Sequence, residues 1–228
     1  MTRPFNPSLT RNPPYSRMKL KELPITRDEN HKYTWTPTGE VLDFSTTEVC
    51  GHKKSPEARA NIERTRPDWE PRGKGAHLCL DEFLNGKPIT ANEKYSDWIV
   101  PLIEHEFWID FEPWATEYMV CDLKKSVGGQ LDVLGYDHKN KRSVLLDLKT
   151  QSQRNSSIYN TDAQLGSYSH ALIDHHRLMV DVCLTMWARP GRCVLGKDQD
   201  VDRCGLAWLE VWESFKVQRE LKGEINAE

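Results

Sequence analysis

No apolar run in the 228 residues approaches the roughly 20 needed to cross a bilayer, and the first residues hold no secretory apolar core. A soluble, cytoplasmic protein with no membrane partner is therefore expected. An excess of positive charge is missing too. The formal net charge is -3, which excludes a protein that coats nucleic acid by charge alone. It leaves room for an enzyme in which a metal ion faces the phosphates. The cysteines (Cys50, Cys79, Cys121, Cys183, Cys193, Cys204) include no CxxC pair. Free, half-buried thiols of a reducing compartment follow. Cys183, Cys193 and Cys204 are spaced too widely for the compact ligand runs of an iron–sulfur cluster, so none is expected. There is no internal repeat, and the length suits one well-filled domain with some decoration.

Residues 1–32 are polar and dotted with prolines (Pro4, Pro7, Pro13, Pro14, Pro24), which reads as an extended arm ahead of a domain over 33–228. Tyr33 to Thr47 is strand-like and turn-rich, with a reversal at Pro37-Thr38-Gly39. Ser55 to Arg66 is predicted helical, Pro56 suiting its first turn. A second helix is expected from Gly73 to about Leu84, stopped by Gly86, with Ala76, Leu80, Phe83 and Leu84 as its buried stripe. Ser96 to Ile109 is a further helical segment with a bend at Pro101. Glu117 to Leu123 reads as a strand, Thr161 to His176 as a helix burying Leu165, Leu172 and Met179, and Leu178 to Ala188 and Cys193 to Leu195 as strands. The final helix, Gly205 to Lys222, has its core stripe at Trp208, Val211, Trp212 and Phe215.

The chemistry concentrates in two short stretches, Gly128-Gly129-Gln130-Leu131-Asp132 and Val144-Leu145-Leu146-Asp147-Leu148-Lys149-Thr150. Both read as strands, joined by the polar reversal Asp137 to Arg142. With the strand before them they make a three-strand antiparallel meander, giving an α/β fold whose central mixed sheet is flanked by helices. Alternation puts Asp147 and Lys149 on one side of their strand. A tight turn around Lys139-Asn140 sets Asp132 opposite Asp147, with Cβ atoms roughly 5 Å apart. Two carboxylates that close repel unless a cation lies between them, and a hard ion such as Mg²⁺ prefers carboxylate and water oxygens. Charged residues in a hairpin more often mark a solvated face. Here Val144 to Leu148 is apolar on both faces apart from Asp147, the pattern of a strand covered on two sides. A carboxylate there has to be paired or metal-bound.

His77 borders the buried stripe of its helix, where a lone histidine is more often a satisfied core residue than a ligand. Gln164 and Tyr168 are four apart and share a helix face; the plainer account of Tyr168 is an amphipathic core-edge residue. Arg72 and Lys74 flank Gly73 at the start of the expected helix and could meet a phosphate there. Arg154 lies in the polar stretch Gln151 to Asn160.

Taken in order, Gly128-Gly129-Gln130-Leu131-Asp132, Asp147-Leu148-Lys149-Thr150 and Gln164-Leu165-Gly166-Ser167-Tyr168 resemble the GxxD, (D/E)XK and QxxxY series of PD-(D/E)XK nucleases. Arg72-Gly73-Lys74-Gly75-Ala76-His77 is similar to the RGxxxH motif of the RecB-like branch. Glu117 stands where that branch often has a glutamate, and Ile158-Tyr159-Asn160 is similar to an Ile-x-Asn of mitochondrial genome maintenance exonucleases and their phage relatives. The likeness runs from about Arg72 to Tyr168. It departs in having no proline before Asp132 and an aspartate, not a glutamate, at Asp147. Each motif alone is weak; five in order are specific.

The resemblance implies a restriction-endonuclease-like core and a Mg²⁺- or Mn²⁺-dependent deoxyribonuclease with one or two ions. His77, Asp132, Asp147 and the carbonyl of Leu148 would be its metal ligands. Asp132, Asp147, Lys149 and Glu117 would be the catalytic set, and Gln164, Tyr168, Arg72, Lys74, Thr150 and Arg154 the DNA contacts. It further implies exonuclease action on single-stranded DNA ends, including that of a phage-encoded enzyme in a bacterial host. An endonuclease, a double-strand exonuclease in a ring-shaped oligomer, a catalytically silent DNA-binding module and a scaffold with ordinary salt bridges are the rival readings. Oligomeric state stays open, a monomer being favoured.

Overall fold

In the computed structural model, which describes residues 19–90 and 92–222, Phe111 to Thr150 folds into the expected meander. We number the elements in chain order. Strands β5 (Phe111–Asp122), β6 (Val127–Asp137) and β7 (Arg142–Thr150) pair antiparallel in sequence. Beyond them, β8 (Val182–Arg189) joins β7 in parallel and β9 (Arg192–Leu195) closes that edge antiparallel. The short β4 (Phe44–Ser45) pairs in parallel with the start of β6. The result is a mixed six-stranded sheet. Buried residues run unbroken from Ser143 to Leu148 and along the whole of β8, as in strands covered on both faces.

Helices supply both covers. On one face α3 (Arg66–Leu84) and α4 (Ser96–Ile103) pack Ala76, Leu80, Leu84 and Leu102 onto Val133, Val144, Leu146 and Leu148. On the other, α5 (Asp162–His176) packs Leu165, Tyr168, Ala171 and Leu172 onto Tyr118, Val120, Leu131 and Leu145. The last helix, α6 (Val201–Leu221), lies against α5 and against α1 (Thr46–Cys50), burying Trp208 and Phe215 with Val49. The remaining helix, α2 (Pro56–Arg64), is tied to α3 by the Trp69 indole, which donates to the Ile62 carbonyl. The fold is α/β, a mixed sheet between helical layers.

Several boundaries differ from the sequence expectation. Helix α3 begins at Arg66, not Gly73, running through Pro71, whose ring ordinarily breaks a helix. Ion pairs from Arg66 and Lys74 to Glu70, each at 2.9 Å, span that break at helical spacing. Helix α4 stops at Ile103, and only a short turn of 3-10 helix, Glu106–Trp108, follows. Met179 is exposed, not buried, because α5 ends at His176 with Arg177 in a left-handed conformation. Most of the supposed arm, residues 1–18, falls outside the described residues. Its last part is not an arm. There β1 (Ile25–Arg27) pairs with β2 (Tyr33–Trp35), which pairs with β3 (Glu40–Val41), in a second small sheet. That sheet buries Ile25 and Tyr33 against Leu42 and Cys121.

Candidate active site

The site lies where β6 changes neighbours. From Val133 to Asp137 it pairs with β7, whereas at Val127 and Gly128 the same edge pairs with β4. In between, β6 and β7 part, and Asp132 sits at the fork. The register sets it opposite Asp147, one step beyond the paired Val133 and Leu146. There its side chain takes over from the ladder: Leu148 N donates to Asp132 Oδ2 at 2.6 Å. Across the other edge, between Thr116↔Val133 and Tyr118↔Leu131, stands Glu117 with φ +47°. The Thr116 hydroxyl donates to Asp81 on α3, while the Tyr118 hydroxyl meets His176 on α5. Residues two apart in a regular strand share a face, so the left-handed Glu117 turns the pleat over. Such a conformation costs about 1–3 kcal/mol and is typically kept where function needs it.

Two chains of polar contacts converge on this fork. In the first, Arg27 Nη1 donates to Gln130 Oε1 at 2.6 Å, and Gln130 Nε2 donates to Glu117 Oε2 at 2.9 Å. Glu117 Oε1 then lies 3.0 Å from His77 Nδ1, which is 3.3 Å from Asp132 Oδ1. In the second, the Lys149 ammonium donates to Asp147 Oδ1 and to Gln164 Oε1, each at 2.9 Å. Gln164 Nε2 donates in turn to the Tyr168 hydroxyl at 3.0 Å. Asp147 Oδ2 also lies 2.8 Å from the same ammonium, so both oxygens of this buried carboxylate face Lys149. Gly129 makes room for the assembly: a Cβ there would sit 2.7 Å from Thr46 Oγ1 and 2.8 Å from the Tyr168 ring.

Burial is the strongest influence on His77, Glu117, Asp132, Asp147 and Lys149, and the neighbours decide whether it prevails. It pushes the Asp147 carboxyl up to about 6, against Lys149 and with help from Asp132. It also raises Glu117, against the pull of His77. For Asp132 burial loses: the His77 and Lys149 cations and the Leu148 N–H hold this carboxyl below its ordinary value. Burial would also strip the proton from His77 and Lys149, but Asp132 and Glu117 raise the first well above its ordinary value, and Asp147 and Asp132 raise the second.

The structure thus brings together His77, Glu117, Asp132, Asp147, Lys149, Gln164 and Tyr168, with the Leu148 backbone among them. Two expected contacts are not brought in. Lys74 points outward, its side chain 67% exposed and paired with Glu70, because α3 turns that position away from the sheet. Arg154 reaches the Gly191 carbonyl at 3.4 Å on the exposed loop beside β9. Tyr168 is 3% exposed and braces Gln164 from behind. Thr150 lies under α3 at Gly73. Arg72 is buried, its guanidinium over the Trp98 ring at 5.2 Å and its Nε without a hydrogen-bond partner among the described residues. Missing from the sequence reading are the roles of Arg27 and Gln130. Gln130 stood inside the GxxD stretch and two residues before Asp132, which was the available signal; Arg27 gave none.

No family model matches the chain, and no curated protein matches it. Among solved structures, the crystal structure of SSO0001 is similar at a TM-score of 0.44 and 14% identity, over 76% of this chain and 75% of that one. A likeness of that degree carries no argument about the site.

The donor set suits a hard divalent cation. One ligand atom each from His77, Glu117 and Asp132 lie within 4.8 Å of one another, and carboxylate oxygens with one imidazole are donors that Mg²⁺ and Mn²⁺ accept. Glu117, expected only among the catalytic residues, stands within that trio, whereas Asp147 lies outside it.

Proposed function

We propose that this chain is a Mg²⁺- or Mn²⁺-dependent deoxyribonuclease with a PD-(D/E)XK core, hydrolysing phosphodiester bonds from single-stranded ends. The observation that carries the reading is the fork itself. There Asp132, Asp147 and the Lys149 ammonium meet the half-buried His77 and Glu117, three acids gathered around two cationic side chains. His77, Asp132, Asp147 and the Leu148 carbonyl, joined by Glu117, would hold one or two ions. Such an ion, when bound, polarises a phosphoryl oxygen and lowers the pKa of a water bound to it.

The protein's own groups have distinct parts. Lys149 keeps its proton, so it acts as a fixed cation with N–H donors for the negative charge that builds on the phosphoryl oxygens. Gln164 holds that ammonium in place, and Tyr168 fixes Gln164. Gln130 and Arg27 hold Glu117 in its left-handed conformation. Arg72 offers a guanidinium that makes no ion pair among the described residues to a flanking phosphate, a contact that gives affinity without base selection.

The experiment is cleavage of an end-labelled linear single strand, with its closed circle alongside, in Mg²⁺ or Mn²⁺ and in EDTA. The proposal expects the linear strand to be degraded with either metal, the circle to survive, and EDTA to stop the reaction. Degradation in EDTA would overturn the metal dependence. A circle cut as fast as the linear strand would replace the exonuclease with an endonuclease.

A further inference from the structure

The loop between β7 and α5 carries an exposed aromatic that the site described above does not use. Tyr159 is 56% exposed and Ile158 beside it 61%. The loop is pinned on either side of them. Gln151 Nε2 donates to the Ser157 carbonyl at 2.7 Å, Asn160 Nδ2 donates to Asp162 Oδ2 at 3.1 Å, and Asp162 N donates to Asn160 Oδ1 at 2.6 Å. The Tyr159 ring stands edge-on to Trp187, with centroids 4.8 Å apart and an interplanar angle of 83°. Trp187 itself is 2% exposed.

That placement fixes where the ring stands relative to Lys149. Lys149 and Trp187 are partners in the parallel β7–β8 ladder, so their side chains leave the same face of the sheet roughly 4.8 Å apart. Tyr159 stands against Trp187 on that face. A rigid ring open to solvent, one strand away from a buried ammonium, matches a nucleotide whose phosphate is at Lys149.

We propose that Tyr159 is the stacking platform for the nucleobase next to the phosphate held at Lys149, which makes an unpaired strand the form of substrate this site takes. The inference rests on the nuclease reading and names the residue that recognises the strand. Stacking on an aromatic ring is tolerant of sequence because every base has a π-face, and a base inside a duplex has no free face to offer.

The test uses the full chain in EDTA, where binding is read without cleavage, by fluorescence anisotropy with oligo(dT) and an abasic strand of equal length. Wild type is expected to bind oligo(dT) about 5- to 150-fold more tightly, the range for one stacked base. Tyr159→Phe keeps that preference. Tyr159→Leu, which still covers Trp187 but has no π-face, loses it, as does Tyr159→Ala. A preference unchanged in Tyr159→Leu, or lost as fully in Tyr159→Phe, would overturn the proposal. Cleavage of the same oligo(dT) by wild type in Mn²⁺ separates the two readings. Cleavage together with a Tyr159-independent preference overturns only the stacking role; a Tyr159-dependent preference without cleavage overturns only the nuclease.

Discussion

The carboxylate of Asp132 holds the backbone N–H of Leu148 at 2.6 Å, at the point where their two strands part. A side chain there does the work of a ladder bond, so the same residue closes the sheet and faces the site. Asp132→Ala leaves a buried N–H without an acceptor, at about 1–3 kcal/mol. Asp132→Asn keeps an oxygen at that position. Both are expected to abolish cleavage, but urea unfolding should find Asp132→Ala the less stable by a clear margin. Equal stability of the two would contradict this account of the fork.

Lys149 and Asp147 form a buried ion pair, with side chains 19% and 1% exposed. Removing one partner of such a pair typically costs about 3–5 kcal/mol, whereas replacing both by apolar groups is often neutral. Lys149→Met is therefore expected to lower stability sharply and Lys149→Met with Asp147→Leu to recover most of it, neither variant being active. A double-mutant cycle by chemical denaturation reads the coupling. Additive effects would show that the two charges do not depend on each other.

Helices α5 and α6 touch at Gly166, where a Cβ would lie 2.0 Å from the Cys204 carbonyl oxygen. Gly166→Ala must push the helices apart or distort α5, at about 1–3 kcal/mol as overpacking usually costs. Because Gln164 and Tyr168 flank this position on α5, activity should fall with stability. A variant with unchanged Tm would show that the helices can separate freely.

How far the sequence led depended on the range of the interaction. The meander, the hairpin around Lys139-Asn140 and the opposition of Asp132 to Asp147 follow from alternation and turn chemistry, which are local, and they stand. The start of α3 at Arg66, ahead of the expected Gly73, was not legible because a proline inside a helix ordinarily breaks it, and the salt links through Glu70 span Pro71. The fork was not legible at all. It arises because β4, from a distant part of the sequence, takes the edge of β6 that β7 gives up. The left-handed Glu117 was hidden for the same reason, its pleat reversal being set by Asp81 on one side and His176 on the other. Arg27, in a segment read as an arm, reaches Gln130 only once β1 has paired with β2.

Asp181 closes the start of the β7–β8 pair by accepting from the Ser143 hydroxyl at 2.6 Å and from the Ser143 N–H at 2.7 Å. The hydroxyl first, then the N–H, hold its carboxyl below the ordinary value. A carboxyl lowered on folding contributes stability above its unfolded pKa and loses it as pH falls through the folded one. Asp181→Asn should thus be less stable than wild type at pH 7, with the gap closing below about pH 4, near the ordinary carboxylate value. A gap that is constant from pH 7 to pH 3 would contradict the titration.

The central claim is that the acids at the fork bind a divalent ion, and anomalous diffraction from crystals soaked in Mn²⁺ tests it most directly. The account predicts a manganese peak within coordinating distance of Asp132 and of at least one of His77, Glu117 and Asp147, absent in Asp132→Asn crystals. A fork without a peak at saturating Mn²⁺, or a peak that persists in Asp132→Asn, would contradict it.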